Sequence, residues 1–158
     1  MKDKTVCFTG HRKMSSIEKK KTEPLLEALL ERLIIEGYIF FGVGGAIGFD
    51  TLAARTVLRL RKKHPHIKLI LVLPCITQTR GWCLNDVIRY EWIKKRADKV
   101  VYTSEQYDRD CMFKRNRHLV ENSAMCVCYM STSSGGTAYT VDYARKKGLQ
   151  IVNLASVC

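Results

Sequence analysis

No apolar run in this chain of 158 residues approaches the roughly 20 positions that a membrane-spanning helix requires. The segment from Ile67 to Leu73 comes nearest, but Lys68 interrupts it and Pro74 ends it. No secretory leader is expected either: Met1-Lys2-Asp3-Lys4 runs into a short strand-like segment instead of a long apolar core with a cleavage site. A soluble, cytoplasmic protein with no membrane partner is therefore expected. Internal repeats, low-complexity tracts and linkers are absent, so residues 1–158 read as one domain. The seven cysteines contain no Cys-x-x-Cys pair, which removes the commonest zinc and redox frameworks. Cys7, Cys75, Cys126 and Cys128 lie in or beside apolar runs, where a thiol packs as a small hydrophobe. Neither a metal site nor a resident cofactor is expected.

Acids are also few. Fifteen Asp and Glu face 27 Lys and Arg, a net charge of +12, while 46% hydrophobic residues give an ordinary globular balance. Such an excess favours polyanionic partners: nucleic acid, or small phosphorylated ligands drawn by the overall field.

What is present is a regular alternation of short apolar runs and helical patterns. Strands are expected at Thr5 to Phe8 (ending at Thr9-Gly10), Tyr38 to Phe41, Ile67 to Leu73, Lys99 to Thr103, Ala124 to Met130 and Gln150 to Leu154. Between them, leucines at helical spacing predict a helix with Pro24 in its first turn and Gly37 at its close. Further helices are expected from Asp50 to near His64-Pro65, from about Asn85 to Lys95, from Asp110 to Asn122, and from the Ser131–Gly136 turn to Lys147. Trp92, at helical spacing from Ile88, reads as core. Strands alternating with helices imply an α/β three-layer sandwich with a mostly parallel sheet.

In that architecture ligands bind outside the carboxyl ends of the strands. Three loops there contain glycine: Thr9-Gly10-His11-Arg12, the run from Gly42 through Gly44, Gly45 and Gly48 to Asp50, and Ser133-Ser134-Gly135-Gly136-Thr137. The second and third open directly into helices, whose first amides suit a phosphate. No Gly-Lys-Ser/Thr tripeptide occurs, which disfavours a P-loop. The dinucleotide pattern Gly-x-Gly-x-x-Gly, begun at Gly42, meets Ile47 where its third glycine belongs. Arg12 is the first candidate for phosphate, with His11 as a donor or as a shaper of the loop. Asp50 has two readings, a ribose ligand or a helix cap. Trp82 either stacks on a base or packs its own loop. Arg115 and Asn116 begin a basic helix turn, and Thr137 offers an amide and a hydroxyl to one phosphate.

Taken together, Thr9-Gly10-His11-Arg12, Gly44-Gly45-Ala46 with Gly48 and Asp50, Trp82, Arg115-Asn116 and Gly135-Gly136-Thr137 resemble the YpsA-like branch of the SLOG superfamily, the Smf/DprA and Lonely Guy group. The likeness in order and spacing covers almost the whole chain. It implies a Rossmann-like fold that binds nucleotides or their derivatives, often as a homo-oligomer. Members include ligand sensors in phage-defence contexts, a DNA-binding recombination mediator and nucleotide-cleaving enzymes. One position departs: the Lonely Guy phosphoribohydrolases carry a glutamate three residues after the threonine of their glycine motif, and here that position is Thr140. Cleavage would then draw its acid or base from Asp50 or Glu91.

The expected function is capture of a phosphorylated nucleoside, or an ADP-ribose-like derivative, by a sensor or sequestering module. In this reading Arg12 and Gly135 to Thr137 hold phosphate, Asp50 holds the sugar and Trp82 covers the base. The alternatives are an enzyme that hydrolyses the N-glycosidic bond of a nucleotide and a single-stranded nucleic-acid binder.

Overall fold

The computed structural model describes residues 1–156. Its strands are β1 (Thr5–Gly10), β2 (Phe40–Val43), β3 (Lys68–Leu73), β4 (Lys99–Tyr102), β5 (Met125–Tyr129) and β6 (Gln150–Asn153). The helices are α1 (Ser16–Ile35), α2 (Phe49–Arg61), α3 (Leu84–Arg96), α4 (Cys111–Glu121) and α5 (Gly136–Lys146). All strand pairs are parallel, in the order β4-β3-β2-β1-β5-β6. The expected three-layer α/β sandwich is therefore present, and its sheet is wholly parallel.

Parallel neighbours need crossovers, and right-handed crossovers decide which face each helix covers. From β1 the chain steps outward to β4, laying down α1, α2 and α3 side by side. It then returns across the sheet through α4 to β5, on the far side of β1, and α5 packs beside α4. Strand residues alternate between these layers. Val6 and Phe8 of β1 join Leu26, Leu30 and Val57 on the α1–α2 side, whereas Cys7 joins Leu119, Cys126 and Val141 on the α4–α5 side. Cys7, Cys75, Cys126 and Cys128 are buried free thiols, as their apolar surroundings predict, and burial pushes the Cys128 thiol up to about 12. Among the described residues, no helix is long and apolar enough to cross a membrane.

Three expectations about the elements are corrected. The first helix begins at Ser16, well before Pro24, because Ser15-x-x-Glu18 forms a capping box: Ser15 Oγ accepts the Glu18 amide at 3.1 Å and Glu18 Oε1 accepts the Ser15 amide at 2.9 Å. The second strand starts at Phe40, two residues late, since Tyr38 donates its amide to Leu33 O at 3.0 Å and is spent on closing α1. Trp92 is 45% exposed and lies outside the core. Its helix buries Tyr90 and Ile93, so Leu84, Ile88 and Trp92 form an outward stripe, and the Arg96 guanidinium sits 4.0 Å from the Trp92 ring centre.

At Gly48 the backbone has φ +79°, and a Cβ would lie 2.3 Å from Arg12 O. The start of α2 thus packs directly under the loop that leaves β1. Gly48→Ala combines a left-handed conformation with a backbone clash and is expected to cost about 2 kcal/mol or more in urea unfolding. Ser15→Ala removes one half of the capping box and is expected to cost about 1 kcal/mol by the same measurement; an unchanged midpoint would show that tertiary packing alone sets the start of α1.

Candidate functional site

Successive strands advance in one direction from β1 to β4 and in the other from β5 to β6, so the loops after β1 and β5 part toward opposite faces. A crevice opens at their carboxyl ends, as such reversals of strand order require. It is a cleft of about 270 Å³, reached by the loop after β1, by Ala46 and Asp50 after β2, by the first turns of α4 and by the start of α5.

His11 ties the two sides together. Its amide donates to Tyr129 O at 3.3 Å and its carbonyl accepts the Phe49 amide at 3.1 Å. Nε2 accepts the Ser131 amide at 2.9 Å, which requires the neutral ring with its proton on Nδ1. Of the two roles open to His11, shaping the loop is the one these contacts perform. Arg12, next along, is exposed, and one guanidinium nitrogen lies 3.8 Å from Met112 Sδ. Arg12 lines the cleft.

Arg115 is the opposite case, a guanidinium buried to 4% exposure. It donates to Gly44 O in a short hydrogen bond, to Asn116 Oδ1 at 2.7 Å and toward Met112 Sδ at 3.8 Å. Gly44 has no side chain for a reason internal to the protein: a Cβ would stand 2.6 Å from Arg115 Nη1. Gly10 and Gly45 are likewise close-packed, against Phe49 and Leu73. The middle glycine loop therefore serves packing, and of its residues only Ala46 and Asp50 line the cleft.

Asp50 is buried in the first turn of α2, whose N-cap is Gly48. Its carboxylate turns back to accept the Ala46 amide at 3.1 Å, so it caps the loop and not the helix. Burial raises its pKa from 3.8 to about 6, against the pull of Arg115, the Ala46 amide and Arg12. Burial likewise lowers Arg115, and the Asp50 charge opposes that.

At the start of α5, Gly135 adopts φ +93°, and a Cβ on it or on Gly136 would meet nothing within 4 Å. Among the described residues no side chain caps this helix, so its first amides are left to the cleft, with Thr137 at its edge. Thr140 is buried and donates its hydroxyl to Gly136 O at 3.0 Å.

Most of the predicted residues converge: Thr9, Gly10, His11, Arg12, Asp50, Arg115, Asn116, Gly135, Gly136 and Thr137 all line the one cleft. Trp82 does not. It stands edge-on to Tyr90 of α3 at 5.5 Å, packing its loop, since the loop after β3 folds down over the core. Glu91 lies on the exposed outer side of α3, away from the cleft. Conversely, Met112 and Phe113 line the site unforeseen, because a Met and a Phe in a helical pattern carry no mark of a binding role.

Residues 6–153 match the model of the YspA SLOG family. The chain is 31% identical, over 80% of its length and 81% of the relative's, to the SPbeta prophage-derived protein YoqJ of Bacillus subtilis strain 168. Among solved structures it resembles DNA processing protein A of Streptococcus pneumoniae, with TM-score 0.67, 18% identity and coverage of 95% of this chain; it spans 50% of that protein. The same protein of Helicobacter pylori, described by its single-stranded DNA binding mode, gives TM-score 0.65 at 18% identity, covering 93% of this chain and 63% of that one. These two likenesses are likenesses of fold.

A carboxyl whose folded pKa is raised favours folding most below its unfolded value, and that contribution fades as pH climbs through the folded value. The difference in unfolding free energy between wild type and Asp50→Asn is therefore expected to shift toward the variant by on the order of 2–3 kcal/mol between pH 4 and pH 7.5. Urea unfolding at a series of pH values reads this directly, and parallel curves would contradict the burial argument.

Proposed function

The chain belongs to the YspA SLOG family, and we propose that it binds a phosphorylated nucleoside, or a derivative such as ADP-ribose, in the β1/β5 crevice as a sensor or sequestering module. The observation that carries this reading is the convergence of the uncapped start of α5 with Arg12 and Arg115 on one cleft. Phosphate sits at the α5 amides, where the helix dipole and free N–H groups favour an anion. Arg12 closes over it with donors that, among the described residues, meet no acceptor apart from the Met112 thioether. Arg115 contributes a fixed positive charge from the floor, held too tightly by Gly44 and Asn116 to swing outward. Asp50 faces the sugar and accepts from a hydroxyl through the lone pairs that Ala46 leaves open.

A second reading rests on Asp50 as well. A carboxyl with a pKa of about 6 in the cleft is able to hold or release a proton near neutrality, as cleavage of an N-glycosidic bond needs. Against it, the position that carries a glutamate in the Lonely Guy enzymes is the buried, hydrogen-bonded Thr140. Nucleic acid is the partner to consider if affinity proves steeply salt-dependent, given the charge of +12 and the fold likeness to a single-stranded DNA binder.

The purified protein, incubated with a panel of nucleotides and analysed by mass spectrometry, separates these readings. Intact nucleotide retained on the protein supports capture, free base with sugar phosphate supports hydrolysis, and retention of neither removes both. Arg12→Ala is expected to weaken nucleotide affinity roughly tenfold to a hundredfold while leaving the melting temperature unchanged; unaltered affinity would remove Arg12 from the phosphate site.

A further inference from the structure

At the mouth of the cleft stands an aromatic pair with no part in the core. Phe113 belongs to the first turn of α4 and Tyr139 to the first turn of α5, and their rings meet edge to face with centroids 4.6 Å apart. They remain 36% and 40% exposed. Phe113 lines the same cleft as Arg12 and the α5 start, and Arg117 braces the pair from outside by donating to the Tyr139 hydroxyl at 3.1 Å.

Rings in this place have a use that core packing does not supply. A phosphate at the α5 amides puts the rest of a nucleotide within the cleft, and its base must leave past the rim. Several polar atoms along the way are already engaged: Asn116 Oδ1 with Arg115, one Asp50 oxygen with Ala46 and His11 Nε2 with Ser131. A base stacks by its face whatever its edge meets, and an exposed ring is free to hold that face. Trp82, the other candidate for this role, is turned away against Tyr90.

Building on the nucleotide reading above, we propose that Phe113, supported by Tyr139, is the platform on which the ligand's base stacks. The ligand class is then a nucleoside phosphate with its base intact, purines ahead of pyrimidines because they overlap the ring more fully, and not a sugar phosphate.

Calorimetric titration of the full chain with AMP, CMP and ribose 5-phosphate tests this. Wild type should bind AMP about tenfold or more tighter than ribose 5-phosphate, with CMP between them. Phe113→Ala and Phe113→Leu should bring AMP down toward the sugar phosphate without changing affinity for the latter, Phe113→Trp should retain the preference, and Tyr139→Leu should weaken it in part. Thermal melting of each variant confirms that it is folded. Wild type binding AMP no tighter than ribose 5-phosphate, or Phe113→Ala preserving their ratio, overturns the platform and leaves the phosphate site standing. Wild type binding none of the three overturns the nucleotide reading, and the platform with it.

Discussion

A guanidinium taken out of water must have its charge and its donors met within the protein, and the carboxyl edge of this sheet is arranged around that requirement at Arg115. The helix that returns from β4 to β5 carries Arg115 over the end of β2, where Gly44 presents a bare backbone carbonyl and no side chain to obstruct it. Asn116 takes a second donor, and Asp50 supplies the opposing charge. The compensation is incomplete in the other direction: desolvation outweighs Arg115 at Asp50, which is why the carboxyl sits at about 6.

That pair also sets the character of the cleft above it. Arg115 at the floor, the exposed Arg12 and the uncapped start of α5 bring positive charge and open amides to the cleft, and Met112 and Phe113 add apolar surface directly beside them. The crevice keeps its width because the loop after β1 is held on both sides: by the His11 ring to the loop after β5, and by Gly48 beneath it to α2.

Much of this was legible in the residues. The alternation of apolar runs with helical spacing led to the α/β sandwich, and the glycine loops pointed to its carboxyl edge. Arg12, Asp50 and the Gly135–Thr137 turn were found there because ligand binding at strand ends is a property of the architecture. The start of α1 was legible as well, in Ser15 and Glu18, and was masked only by the stronger-looking Pro24. What misled was the use of residue type as a guide to place. Trp82 and Trp92 are the two tryptophans, yet the first packs a loop and the second faces outward, while Phe113 lines the cleft.

The division has a physical cause. Periodicity, capping and turn chemistry act over a few residues, so strands, helices and the polar loops between them are written into neighbouring positions of the chain. Which glycine makes room for a side chain, which carboxyl loses its water and which aromatic reaches the cleft depend on interactions between segments far apart: Gly44 with Arg115, Asp50 with the charge of the same arginine, Phe113 with Tyr139. The crossover through α4 creates all three at once. Local sequence marks Asp50 at a helix start and Arg115 in a basic helix turn, but until the crossover is made nothing buries either of them.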